Sequence, residues 1–170
     1  YIFILIYKGA GVMSNNLLKS VFENIFERPF KAREFSDRLE LQKVVYLLQN
    51  MGISVGDYRF IWYKHGPYSQ TLQNDILSKT TEYVDEKIEF STDAKREMNL
   101  LQEAISKERI QYDESQWLEC LGSIQYIKEN LLPSSAKDET ILSELELKKP
   151  HLNNEQDNRL ALQTVRELEI

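Results

Sequence analysis

One cysteine, Cys120, and two histidines, His65 and His151, are the only residues of either kind among the 170. A single cysteine excludes an intrachain disulfide and fits a reducing cytoplasm. These three residues cannot complete a four-ligand Cys/His zinc site. Neither EF-hand spacing nor an HExxH pattern is present. Only six glycines occur, which leaves little material for loops that cradle phosphates. The GxxxxGK[ST], GxGxxG and GxSxG patterns are all missing. Together these absences point away from a nucleotide-dependent enzyme or a serine hydrolase. No cofactor, no metal and no catalytic set is expected. Long apolar runs are scarce too. The first seven residues, from Tyr1 to Tyr7, are all apolar, but a membrane-spanning helix needs about 20 such residues. A basic leader and a small-residue cleavage site are also lacking, so this is a poor signal peptide. Met13 opens a plausible native start, so residues 1–12 read as an extension or upstream fragment. The alternative is a β-strand added to a sheet edge.

What remains is an ordinary globular composition, with 42% hydrophobic and 28% charged residues. Such a chain can bury a sizeable core. The net charge of −6 argues against a general polyanion binder, whose affinity comes from neutralising phosphates. The acidity is uneven. Residues 1–85 carry 10 basic and 9 acidic side chains, and residues 86–170 carry 11 and 18.

Apolar spacing predicts a helix over 16–28, ended by Pro29. A second helix is predicted over 37–51, capped by Ser36 and stopped by Gly52. Leu41, Val44, Val45 and Leu48 form its apolar stripe. Residues 58–63 are aromatic and β-prone, and His65-Gly66-Pro67-Tyr68 breaks that strand. Ser69 then caps a helix containing Leu72 and Ile76. Residues 82–90 alternate loosely and can pair with 58–63. Helices follow: one capped by Thr92 or Asp93, one over 115–131, one after a Ser135–Asp138 capping box, and one opened by Asn154. The expected fold is mainly α: a single helical domain over 13–170 with a small two-stranded β element.

Two segments carry the functional information. Leu41-Gln42-Lys43-Val44-Val45-Tyr46 is an LQKxxY helix. Some residues later comes Phe60-Ile61-Trp62-Tyr63-Lys64-His65-Gly66-Pro67-Tyr68-Ser69. An LQKxxY helix, an aromatic strand and an (H/Y)GPYS turn together resemble the Panacea/SocA-like domain of bacterial antitoxins. Trp117-Leu118-Glu119 and the Lys149-Pro150 turn are similar to its YwgA-like branch. The match is clearest over about residues 36–78. The resemblance implies a largely helical bacterial or phage domain. In the Panacea group it also implies neutralisation of a toxin by binding.

Read physically, Gly66 permits a backbone angle closed to other residues and Pro67 fixes the next one. Such a corner aims side chains with little entropy loss, which suits recognition. It equally suits a plain strand-to-helix turn. The candidate partner-binding residues are Gln42, Lys43, Tyr46, Trp62, His65, Gly66, Pro67, Tyr68 and Ser69. The expected partner is a protein, plausibly a cognate toxin. A catalytic His65–Ser69 pair is the outsider, because Ser69 already serves as a cap. Arg28, Lys31, Arg33, Arg38 and Lys43 could touch phosphates while Tyr58, Trp62 and Tyr63 stack bases, but a solvated mixed-charge face is favoured. The alternative function is a winged-helix-like transcriptional regulator that binds DNA. His151 is expected to face solvent.

Overall fold

Two helices are buried on every side over most of their length, and they define the centre of the molecule. The computed structural model describes residues 2–3, 13–78 and 88–168. Helix α2 spans Phe35–Asn50 and is buried continuously from Glu40 to Leu48. Helix α5 spans Glu114–Tyr126 and is buried from Trp117 to Gln125. A helix without a solvent face belongs inside a layered core, and α2 and α5 pack on one another. Around them lie α1 (Met13–Phe26), α3 (Gln70–Ser78), α4 (Thr92–Ile105), α6 (Asp138–Lys148) and α7 (Glu155–Leu168). Trp117, at the middle of the core, is fully buried and donates its indole N–H to the Ala104 carbonyl at 3.0 Å.

The β structure is small. Strand β1 (Ile2–Phe3) pairs in parallel with β2 (Ile53–Ser54), and β3 (Ile61–Tyr63) pairs antiparallel with β4 (Gly66–Tyr68). The mainly helical α+β class is as expected. The strand at Ile2–Phe3 matches the sheet-edge reading of that segment, and the rest of 1–12 lies outside the described residues.

Several local expectations need correction. The aromatic strand has a partner nearer in sequence than 82–90. Its partner is Gly66–Tyr68, so the GPYS segment is itself a strand and the turn falls on Lys64-His65. Residues 82–87 lie outside the described residues, and 88–90 form no strand. Helix α2 begins two residues early, at Phe35, with Glu34 as its cap and no side-chain capping bond. Ser91, not Thr92 or Asp93, caps α4, accepting from the Ala94 N–H at 3.1 Å. Lys137 precedes α6 without a side-chain cap, so the Ser135–Asp138 box does not form. The box that does form is Asp113 with Gln116 at the start of α5. The helix predicted over 115–131 ends as a π-helical turn, Ile127–Leu131. Asn154 opens α7 as expected, accepting from the Asp157 N–H at 2.8 Å. Gly52, at φ +83°, ends α2 as expected.

Candidate functional site

The hairpin of β3 and β4 sits against the two central helices, and the two sequence motifs meet there. Gln42 of α2 reaches Ser69 with both ends of its amide. Its Nε2 donates to the Ser69 carbonyl at 2.9 Å, and its Oε1 accepts from the Ser69 N–H at 2.8 Å. The side chain thus replaces the strand that β4 lacks on that edge. Lys43 donates to the Pro67 carbonyl at 2.7 Å. Ser69 Oγ accepts from the Leu72 N–H at 3.4 Å and caps α3. Beneath the corner, Gly66 adopts φ +85°, and a Cβ there would lie 2.9 Å from Ser123 Oγ of α5. Both facts require glycine.

Behind the corner is a buried ionic cluster centred on Glu119 of α5. Its carboxylate forms an ion pair with Lys149 Nζ at 3.1 Å and lies 3.1 Å from His151 Nε2 and 3.5 Å from His65 Nδ1. Both histidines of the chain therefore face one carboxylate. Lys149 also donates to the Tyr63 and Lys64 carbonyls. Its ammonium stands 4.9 Å from the Trp62 ring centroid. One lysine from the turn after α6 so holds the hairpin from below. Lys43 completes the cluster. Burial pushes its ammonium down to about 7; Glu119 opposes that shift and Lys149 adds to it.

Placed in this geometry, the nine candidate residues divide. Gln42, Lys43, Tyr46, Gly66, Pro67 and Ser69 are buried; Trp62 and Tyr68 are half-buried; His65 is exposed. Gln42 and Lys43 lie off the apolar stripe of their helix. Each is 1% exposed, because the hairpin and α5 cover the face opposite the apolar stripe. Only Trp62, His65 and Tyr68 offer surface to a partner, and the other six set the shape of the corner. Ser69 is buried with its hydroxyl engaged as a cap, so no accessible Ser–His pair forms. The basic cluster is also largely engaged. Arg28 binds Asp37 at 3.0 Å and Glu40, Arg38 donates to the Ala32 and Arg33 carbonyls, and Lys43 is inside. His151 keeps about half of its side chain exposed yet contacts Glu119.

Sequence reasoning missed Phe35 and Ile61, and offered Tyr63 only as a base-stacking candidate. Phe35, Ile61 and Tyr63 are 62%, 53% and 51% exposed. Phe35 and Tyr63 line a cavity of about 310 Å³, whose other walls include Arg38, Lys43, Lys64, His65 and Tyr68. No aspartate or glutamate lines it. The Tyr63 and Tyr68 rings pack at 5.3 Å across the hairpin. No signal in the sequence marks Phe35 or Ile61 as exposed, since apolar residues are assigned to the core by default. Its charge is easier to see: it lies in the half of the chain that is not acidic.

Among the described residues, no group of three His, Cys, Asp or Glu side chains could hold a metal ion. The ammonium of Lys149 is the partner that Glu119 has instead. No helix of the described residues is long and apolar enough to cross a membrane. Comparison of the chain with protein-family models, curated proteins and solved structures finds no match in any of the three.

Proposed function

We propose that the chain is a non-enzymatic interaction domain, of bacterial or phage type, that binds a protein partner through the β3–β4 hairpin and the start of α2. The observation that carries this reading is the exposed Phe35, Ile61 and Tyr63 beside a cavity walled by Arg38, Lys64 and His65. Apolar anchors next to an unbalanced charge are the ingredients of a specific protein contact. The cationic wall selects a partner that inserts an acidic side chain between aromatic contacts. The rigid corner lowers the entropy lost when that partner docks. The resemblance to Panacea/SocA-like domains narrows the partner to a cognate toxin. For the DNA-binding alternative, α3 supplies no support: Gln70–Ser78 contains Asp75 and no lysine or arginine.

The test is affinity capture from a bacterial host that carries the gene, with wild type and an Ile61→Ser/Tyr63→Ser variant in parallel. Both residues are exposed, so the variant is expected to keep the wild-type melting temperature. The reading requires one partner held by wild type and lost by the variant. It also requires that this partner, expressed alone, arrests growth and is neutralised by wild type only. A captured partner that both proteins hold equally would end the hairpin assignment. A partner without toxicity would end the antitoxin part.

A further inference from the structure

A second cavity, of about 260 Å³, lies between the end of α2, the Tyr58–Phe60 segment and the π-helical turn. It shares no residue with the hairpin cavity. Its charge is the opposite. Glu129 is its one ionisable acid, and no lysine, arginine or histidine lines it. Four of its walls are aromatic: Tyr46, Tyr58, Phe60 and Tyr126. The Tyr46 ring packs at 5.1 Å from Phe60 and 6.1 Å from Tyr126.

The hydrogen-bond chemistry of the lining is one-sided. Gln49 donates its amide N–H to the Tyr58 carbonyl at 3.1 Å, Asn50 to the Tyr46 carbonyl at 2.7 Å, and Asn130 to the Tyr126 carbonyl at 3.2 Å. A main-chain carbonyl accepts only, so each amide must present its nitrogen there and its oxygen at the other end. The Gln49 Oε1 is buried and has no partner. The Tyr46 hydroxyl belongs to a residue only 5% exposed. It lies near the Asn50 and Asn130 amides yet meets neither in hydrogen-bonding geometry. Asn50 Oδ1 and Glu129 Oε1 each accept one bond from Gln125 Nε2, at 3.3 and 3.4 Å. The lining therefore offers a carboxylate, the unpaired Gln49 amide oxygen and ring faces, and each of its three amides already spends one N–H on a main-chain carbonyl. Such a set matches a cation that carries N–H donors and a short apolar stem.

We infer that this cavity binds a primary alkylammonium group. Its N–H bonds go to the Glu129 carboxylate, the Gln49 Oε1 and the Tyr46 hydroxyl oxygen, and its methylenes lie against Phe60 and Tyr126. The group comes either from a free diamine or from a lysine side chain of another protein. This inference does not rest on the hairpin surface, and the two fail separately.

The full chain is titrated calorimetrically with 1,5-diaminopentane, with Nα-acetyl-lysine amide, and with 1,5-pentanediol as the uncharged counterpart. At least one amine is expected to bind with a Kd of about 1 mM or tighter. The diol is expected to bind at least about tenfold more weakly. The tighter of the two amines identifies the source. Glu129→Gln, at an exposed position, should weaken the amine at least about tenfold. Tyr46→Phe gives the discriminating readout. It deletes a buried unpaired hydroxyl, so the melting temperature holds or rises while amine binding weakens about threefold or more. A residue with a purely structural role would not split these two measurements. Three results would overturn the inference: no binding by either amine at that level, equal binding of diol and amine, or unchanged binding by Glu129→Gln.

Discussion

Replacing Gln42 with methionine tests whether its amide holds the corner. Methionine nearly matches glutamine in length and volume, so the packing change is small. What is lost is the pair of hydrogen bonds to the Ser69 carbonyl and N–H, at 2.9 and 2.8 Å. Ser69 is 1% exposed, so water cannot replace them without opening the corner. A buried main-chain group left unpaired costs about 1–3 kcal/mol. Two such groups, less what local relaxation recovers, should cost about 3 kcal/mol. For a chain of this length that lowers the melting temperature by roughly 6–12 °C. Urea and thermal unfolding measure it, with Gln156→Met, at an exposed position of α7, as the neutral control. Gln42→Glu adds a test of sign. Its carboxylate can still accept from the Ser69 N–H but faces the Ser69 carbonyl with a second oxygen. Protonation restores a donor, so the deficit of this variant should shrink as pH falls. A loss below about 1 kcal/mol for Gln42→Met would refute the idea that the amide is the corner's missing strand.

Gly66→Ala should destabilise by about 1–2 kcal/mol for its positive φ alone, and by more from the contact with Ser123 Oγ. Adding Ser123→Gly should recover the contact part only, which a double-mutant cycle reads directly. Glu119→Gln should cost about 3–5 kcal/mol by leaving Lys149 buried without its counter-charge, measured by urea unfolding at neutral pH. A fourth prediction concerns pH. Burial raises Glu40 to about 7, against the pull of Arg28. The folded state therefore binds more protons than the unfolded chain between about 4.5 and 7, and stability falls across that window. Burial lowers Lys43 to about 7. Here the unfolded chain binds more protons between about 7 and 10.5, and stability rises. The pair predicts a minimum near neutral pH. Glu40→Gln should remove the falling limb and Lys43→Met the rising one in unfolding free energies measured from pH 5 to 10.

Much of the fold is written in helical periodicity. The stripes of α1, α2, α5 and α7 fall where apolar spacing puts them, and Pro29, Gly52 and Asn154 act as the expected punctuation. The errors share one cause, which is that tertiary neighbours decide what local rules leave open. Ser36 has cap chemistry, but the chain turns helical before it, and Asp37 instead takes bonds from Arg28 and the Lys31 N–H. The strand signal of 58–63 leaves its partner open, and a two-residue turn at Lys64-His65 brings β4 to β3 at small loop-closure cost. The stripe rule gives α2 one buried face and one wet face. It cannot know that a hairpin covers the second face, so Gln42 and Lys43 read as surface residues. The same blindness hides Phe35 and Ile61, whose exposure follows from what fails to cover them.

The two motifs behave as a single device. Gln42 and Lys43 supply the partners that the GPYS backbone needs, Gly66 lets that backbone settle on Ser123, and Lys149 with Glu119 holds the turn from the other side. Each of these contacts consumes the functional groups involved. A side chain that already spends both ends of its amide on Ser69 has nothing left for a partner. Stability and recognition should therefore separate by position. Substitutions at Gln42, Gly66 or Glu119 lower the unfolding free energy and affect binding only in step with it. Substitutions at Ile61 and Tyr63 leave unfolding unchanged and act on binding alone. If a variant of Tyr63 lost stability as heavily as one of Gln42, the hairpin's outer face would belong to the core after all. The protein-binding surface would then have to lie elsewhere.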